Sequence, residues 1–258
     1  MDYKKKKNFD DDFGDGSIIV GRNPVLELLK SGREIEKIYI LKGEREGSVT
    51  KIYAEARARG INVAETDKYK LDKLAGENAH QGVAAIAAVK EYVSLEQIVA
   101  LANEKGEKPL IVVCDGIEDP HNIGAIIRCA EGAGAHGLVI GKRHAPALGP
   151  TVFKASAGAA EHLPIAKVTN IASAVDRLKE LGIWTFAAEA DGEDYHKTDF
   201  DLPCAIILGS EGGGVSRLVR EKCDFTVSIP MYGKVNSLNV STAASVLLFD
   251  AAYKQRNK

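Results

Sequence analysis

Apolar residues along the chain fall into short runs that alternate with stretches of helical period. In the first third, "KIYILK", "INVAE" and "GVAAIAAV" have the length and β-branched content of strands, and "TKIYAEARARG" and "DKYKLDKLAG" are spaced as the helices between them. "NPVLELLKSG", from Asn23 to Gly32, has Pro at the start, Gly at the end and Val25, Leu28 and Leu29 on one face, which predicts a short helix. These elements define a small α/β unit over residues 17–90. Residues 91–108 are polar apart from one amphipathic helix carrying Leu95, Ile98, Val99 and Leu101, and they read as a linker. In residues 109–258 the runs "LIVVC", "GLVIG", "IWTFAAEA", "CAIILG" and "FTVSIP" alternate with helices after Asn122, near Val152, from Ile171 and after Val215. That alternation predicts a second α/β domain, a mostly parallel sheet covered on both sides, with ligands bound beyond the carboxyl ends of the strands.

Composition narrows the picture without changing it. At 258 residues there is room for one large domain or two ordinary ones, and 45% hydrophobic with 27% charged residues is a globular balance. No apolar run approaches the roughly 20 residues that span a bilayer, and no apolar segment follows Lys4 to Lys7, so a soluble, cytoplasmic protein is expected. Residues 1–16 join a basic to an acidic block and read as a flexible tail. Cys114, Cys129, Cys204 and Cys223 are too widely spaced for a metal or redox pair and are expected as buried reduced thiols. A net charge of −2 means that any nucleic-acid surface must be a local cluster. Lys142, Arg143 and Lys154 near one strand end, with Arg22, Lys42 and Arg45 on the first unit, are the candidates.

Three loops after strands carry the chemistry. In "CDGIEDPHNIGAIIRCAEGAGAHG", Asp115 and Gly116 turn the chain and Asn122 is placed as helix cap or loop ligand. Arg128 lies off the apolar stripe of the helix, between Gly124 and Gly132, in a groove expected to be clear for an anion. In "IILGSEGGGVSRLV", glycines surround Glu211 after a buried strand, leaving backbone N–H groups open to a ligand. This is neither a P-loop nor a dinucleotide fingerprint. In "KVNSLNVSTAASVLLFDAAY" more short polar residues precede the helix than one cap requires, so Asn239 or Ser241 starts it and the others face a pocket. His121 offers a rival base beside Asn122, and the six histidines show no metal-ligand spacing.

Taken in order, these loops closely resemble the three motifs of the SpoU (TrmH-type) branch of the knotted SPOUT RNA methyltransferases. The carriers are Asn122, Gly124 and Arg128, then Gly209, Glu211 and Gly212, then Ile229, Pro230, Ser237 and Asn239. "VGRNPVLELL" and "AHQGVAAIA" resemble the L30e-like substrate-binding domain that precedes the catalytic one in the bacterial ribosomal branch. The resemblance implies a C-terminal deep trefoil knot, which periodicity cannot show, and a homodimer with its active site completed across the interface. It further implies S-adenosylmethionine as methyl donor, bound at Gly209, Ile229 and Leu238, and methyl transfer to the ribose 2′-oxygen of a guanosine in 23S ribosomal RNA. Asn122, Arg128, Glu211, Ser237 and Asn239 are the catalytic set so implied. Arg has no acceptor, so Arg128 fits phosphate orientation and alkoxide stabilisation better than proton removal. Transfer RNA as substrate, or a non-catalytic RNA-binding protein on the same fold, are the alternatives.

Overall fold

The computed structural model describes residues 16–44 and 46–257. The chain divides into two compact units between Lys90 and Glu91. Residues 1–15 of the expected tail, and Arg45, lie outside the described residues.

The first unit comprises β1 (Ser17–Val20), α1 (Arg22–Ser31), β2 (Ile35–Leu41), α2 (Ser48–Ala58), β3 (Val63–Thr66), α3 (Lys68–Ala75) and β4 (Val83–Ala87). Its sheet runs β1-β4-β2-β3, with β2 and β3 parallel and the other pairs antiparallel. Sequence pattern misses β1, four residues whose strand character comes from pairing with the fully buried β4. Pro24 is the third residue of α1 rather than its first, because the turn is made by Gly21 at φ 100°, and Gly32 at φ 78° ends the helix. Leu71 and Ile86 pack with Tyr39, Leu74 and Ala84 in one core cluster, and Leu28, Ile38 and Ile52 are buried as well.

The second unit begins earlier than the sequence suggests. α4 (Leu95–Glu104) starts with a Ser94–Gln97 capping box and buries Leu95, Ile98, Val99 and Ala102, while Leu101 is turned outward. Leu95, Ile98 and Val99 join the core cluster of the parallel sheet, so residues 91–108 are a covering element and not a linker. The remaining elements are β5 (Leu110–Asp115), α5 (Pro120–Ala133), β6 (Gly137–Gly141), α6 (Pro150–Ala155), β7 (Ile165–Val168), α7 (Ile171–Glu180), β8 (Trp184–Asp194), β9 (Cys204–Gly209), α8 (Arg217–Lys222), β10 (Phe225–Ser228) and α9 (Val240–Arg256). All six strands are parallel, in the order β10-β8-β9-β5-β6-β7. α4, α7 and α8 pack on one face. On the other, α9 leaves the edge strand β10 and returns to pack against β9 and α5. Sequence pattern also misses β7, a four-residue strand paired with the buried β6.

Two further expectations do not hold. Gly124 does not clear a groove for Arg128: a Cβ there would lie 2.4 Å from the Cβ of Ala155, so its bare face admits α6, and Gly132 faces the Phe249 ring of α9. Cys114 and Cys204 are buried as expected, but Cys129 and Cys223 are only half-buried; all four are free thiols.

Candidate functional site

β5, β9 and β10 end on the same side of the sheet, and the three loops that leave them meet. After β5, Asp119 caps α5, its carboxylate accepting the His121 N–H at 2.9 Å, with Pro120 at the first helical position. Asn122 therefore is not the cap. It sits in the first turn, 8% exposed, and its Nδ2 donates to Glu211 Oε1 at 3.0 Å.

Glu211 is presented by a closed loop. Ser210 and Gly214 exchange backbone hydrogen bonds of 3.1 and 3.0 Å, and Gly214 adopts φ +63°. A Cβ on Gly209 would stand 1.9 Å from the carbonyl carbon of Gly214, which only glycine allows. Two acids clamp the far side of this loop: Glu189 Oε1 accepts the Val215 N–H at 2.6 Å, and Asp115 Oδ2 accepts the Ser216 N–H at 2.8 Å.

Asn239 closes the network. Its Oδ1 accepts the Ser241 N–H at 2.9 Å, capping α9, while its Nδ2 donates to Asn122 Oδ1 at 3.0 Å and Glu211 Oε1 at 2.6 Å. One side chain thus starts the helix and ties it to the first and second loops. Beside the network lies a cleft of about 680 Å³, lined by Gly209, Glu211, Ile229, Ser237, Leu238 and Asn239 among others. Leu208, Leu238 and Val240 give it apolar walls, and the glycine loop gives it backbone edges.

Glu189 also lines the cleft, and sequence reasoning missed it. The cause is a break in register. Thr226 pairs with Ala187, whereas Val227 pairs with Glu193, so β8 bulges between them and carries residues 188–190 into the cleft. An acid inside the apolar run "IWTFAAEA" was the available signal.

The remaining candidates are not among the cleft-lining residues. Arg128, six residues along α5 from Asn122, is exposed and has no ion-pair partner among the described residues. His121 is exposed as well. Lys142 and Arg143 are exposed after β6; Lys154 on α6 is half-buried, and burial lowers its pKa. Arg22, in the first unit, is held by Glu44 at 2.7 Å and by the Gln81 carbonyl at 2.9 Å. Among the described residues no cluster of His, Cys, Asp and Glu could hold a metal ion, and no helix is long and apolar enough to cross a membrane.

Comparison with known proteins gives concordant matches. Residues 109–249 match the model of the SpoU rRNA Methylase family, and residues 18–93 that of RNA 2′-O ribose methyltransferase substrate binding. A candidate TrmH family tRNA/rRNA methyltransferase of Bacillus subtilis, YacO, is 43% identical over 240 residues, covering 93% of this chain and 96% of its own. Among solved structures, the SpoU methyltransferase AviRb from Streptomyces viridochromogenes, in complex with AdoMet, is 25% identical with a TM-score of 0.77 over 93% of this chain and 91% of its own. An RNA 2′-O ribose methyltransferase has a TM-score of 0.76 and 25% identity over 92% of this chain and 88% of its own.

Proposed function

The chain belongs to the SpoU rRNA methylase family, and from that premise we propose that it transfers a methyl group from S-adenosylmethionine to the ribose 2′-oxygen of a guanosine in 23S ribosomal RNA. The observation that carries this reading is the Asn122–Glu211–Asn239 network, which joins all three motif loops at the edge of one cleft. The cleft fits the donor: its volume is in the usual range for a small-molecule site of roughly 300–1,000 Å³, and apolar walls beside backbone edges suit a nucleoside. Gly209, Ile229 and Leu238 line it and are the residues assigned to hold the donor. When bound, S-adenosylmethionine supplies a methyl group on a sulfonium that leaves as a neutral thioether.

The chain's own residues position the acceptor. Glu211, fixed by two amide donors, and Ser237, exposed on the cleft wall, are assigned to orient the ribose, and Asn122 and Asn239 keep the loops in register. Arg128 carries the anion work, binding phosphate and stabilising the developing alkoxide. Because Arg128 lies off the cleft wall of its own chain, the reading includes a homodimer in which a second copy completes each site. α9, which returns from the sheet edge to pack on α5, supports the trefoil knot of the family. Lys142, Arg143, Lys154 and Arg22 are assigned as phosphate contacts, with Arg22 offset by Glu44, and the protein is placed in the cytoplasm.

Incubation with methyl-labelled S-adenosylmethionine and unmodified 23S ribosomal RNA or transfer RNA tests the reading. Label in 23S RNA, recovered as 2′-O-methylguanosine after digestion, is the expected result. Label in transfer RNA alone, or on a base, would overturn it.

A further inference from the structure

Charge in the cleft is one-sided. Among the described residues its wall carries two ionisable side chains, Glu189 and Glu211, and no Lys, Arg or His. Both acids are satisfied by neutral donors: Glu211 by the amides of Asn122 and Asn239, Glu189 by the Val215 backbone N–H. Such bonds stabilise a carboxylate without cancelling its charge. Among the described residues Arg220 is a cation whose charge reaches Glu189, and its guanidinium is already engaged by both oxygens of Asp191, at 3.0 and 2.8 Å. Glu189 is also fixed in place. A Cβ on Gly214 would lie 2.9 Å from Glu189 Oε1 and 3.1 Å from Oε2, so the carboxylate lies flat against the glycine loop.

Resting on the donor assignment above, we infer that Glu189 is a specificity determinant that makes the cleft prefer the cationic methyl donor to its neutral product, S-adenosylhomocysteine. The two ligands share adenine, ribose and amino-acid portions, so contacts to those parts favour neither. They differ by one methyl group and one positive charge. A fixed carboxylate in a partly enclosed cleft acts alike on the ammonium and carboxylate groups that the two ligands share, and separates them through the sulfonium charge that the donor alone carries. Transfer of the methyl removes that charge, so the same residue that draws in the donor stops holding the product.

Glu189→Gln separates charge from shape, since the amide oxygen still accepts the Val215 N–H. Calorimetric titration of the full-length wild type and of E189Q, each with S-adenosylmethionine and with S-adenosylhomocysteine, reads the difference. The donor should bind E189Q about 5- to 20-fold more weakly and the product within about twofold of wild type. Equal losses for both ligands, or no loss for the donor, would overturn the inference. Should E189Q fail to fold, E211Q decides, since it leaves Glu189 as the one ionisable side chain among the described cleft-lining residues. Raising salt from about 0.05 to 0.5 M should weaken the donor more than the product, and an unmoved ratio in E211Q refutes the role of Glu189 charge. A wild type that binds neither ligand would instead refute the donor assignment itself.

Discussion

Asn239 answers two demands with one amide, and its neighbours divide accordingly. Replacing it with Ala removes a helix cap, a loss of about 1 kcal/mol, and strips Glu211 and Asn122 of a shared donor. Asn239→Ala is therefore expected to lower both the urea midpoint and methyl transfer. Ser237→Ala, at an exposed wall position, should change stability by less than about 0.5 kcal/mol while still lowering turnover; equal stability losses in the two variants would contradict this division. Arg128→Ala should keep the melting temperature and donor binding but lose most methyl transfer, and near-wild-type turnover would remove Arg128 from the catalytic set. Residue types and spacings made Asn122, Glu211 and Asn239 legible in the chain because each is tied to a local loop signal: a turn, glycines or a helix start. Glu189 showed only as an acid inside an apolar run; that it reaches the cleft depends on a register shift between β8 and β10, a relation between strands distant in sequence that no local pattern encodes.

At the scale of elements, the long apolar runs β5, β6 and β9 could be read directly because they are buried on both faces. β1 and β7 could not be read, and their strand character comes from pairing with the buried β4 and β6. The joint between β5 and β6 carries a pH-dependent contact of the same kind. His136, 5% exposed, accepts the Leu110 N–H on Nδ1 at 3.1 Å and faces Glu107 with Nε2 at 3.0 Å. Nδ1 as acceptor assigns the proton to Nε2 and requires a neutral ring. Burial lowers its pKa below the ordinary histidine value, outweighing Glu107, which pulls the other way. Below about pH 6.5 the unfolded chain takes up a proton that the folded ring refuses. The contribution of His136 is thus complete above that pH and is lost as pH falls from there toward the folded pKa. Thermal melts between pH 7.5 and 5.5 should show a shallower slope for His136→Gln than for wild type. Parallel slopes would mean that His136 does not titrate differently on folding.

On the scale of the whole molecule, the division into two α/β units could be read from periodicity, but the role of the segment joining them could not. Helical spacing showed that α4 exists; only the fold shows what its apolar face covers. Leu95, Ile98 and Val99 join a cluster with Val139, Ala166 and Val175, and a Cβ on Gly137 would strike Ile98 at 2.5 Å, so helix and strand have been shaped to one another. Burial of three such side chains is worth about 1.5–3 kcal/mol each. Their sum rivals the roughly 5–15 kcal/mol by which a domain is stable at all. A fragment of residues 91–258 should therefore melt cooperatively and bind S-adenosylmethionine, whereas one of residues 107–258, which keeps every motif residue, should show no cooperative transition. Calorimetric scans of the two fragments decide the matter. If the shorter one melts as the longer does, α4 is dispensable and the second unit does begin at residue 109, where the sequence pattern alone would start it.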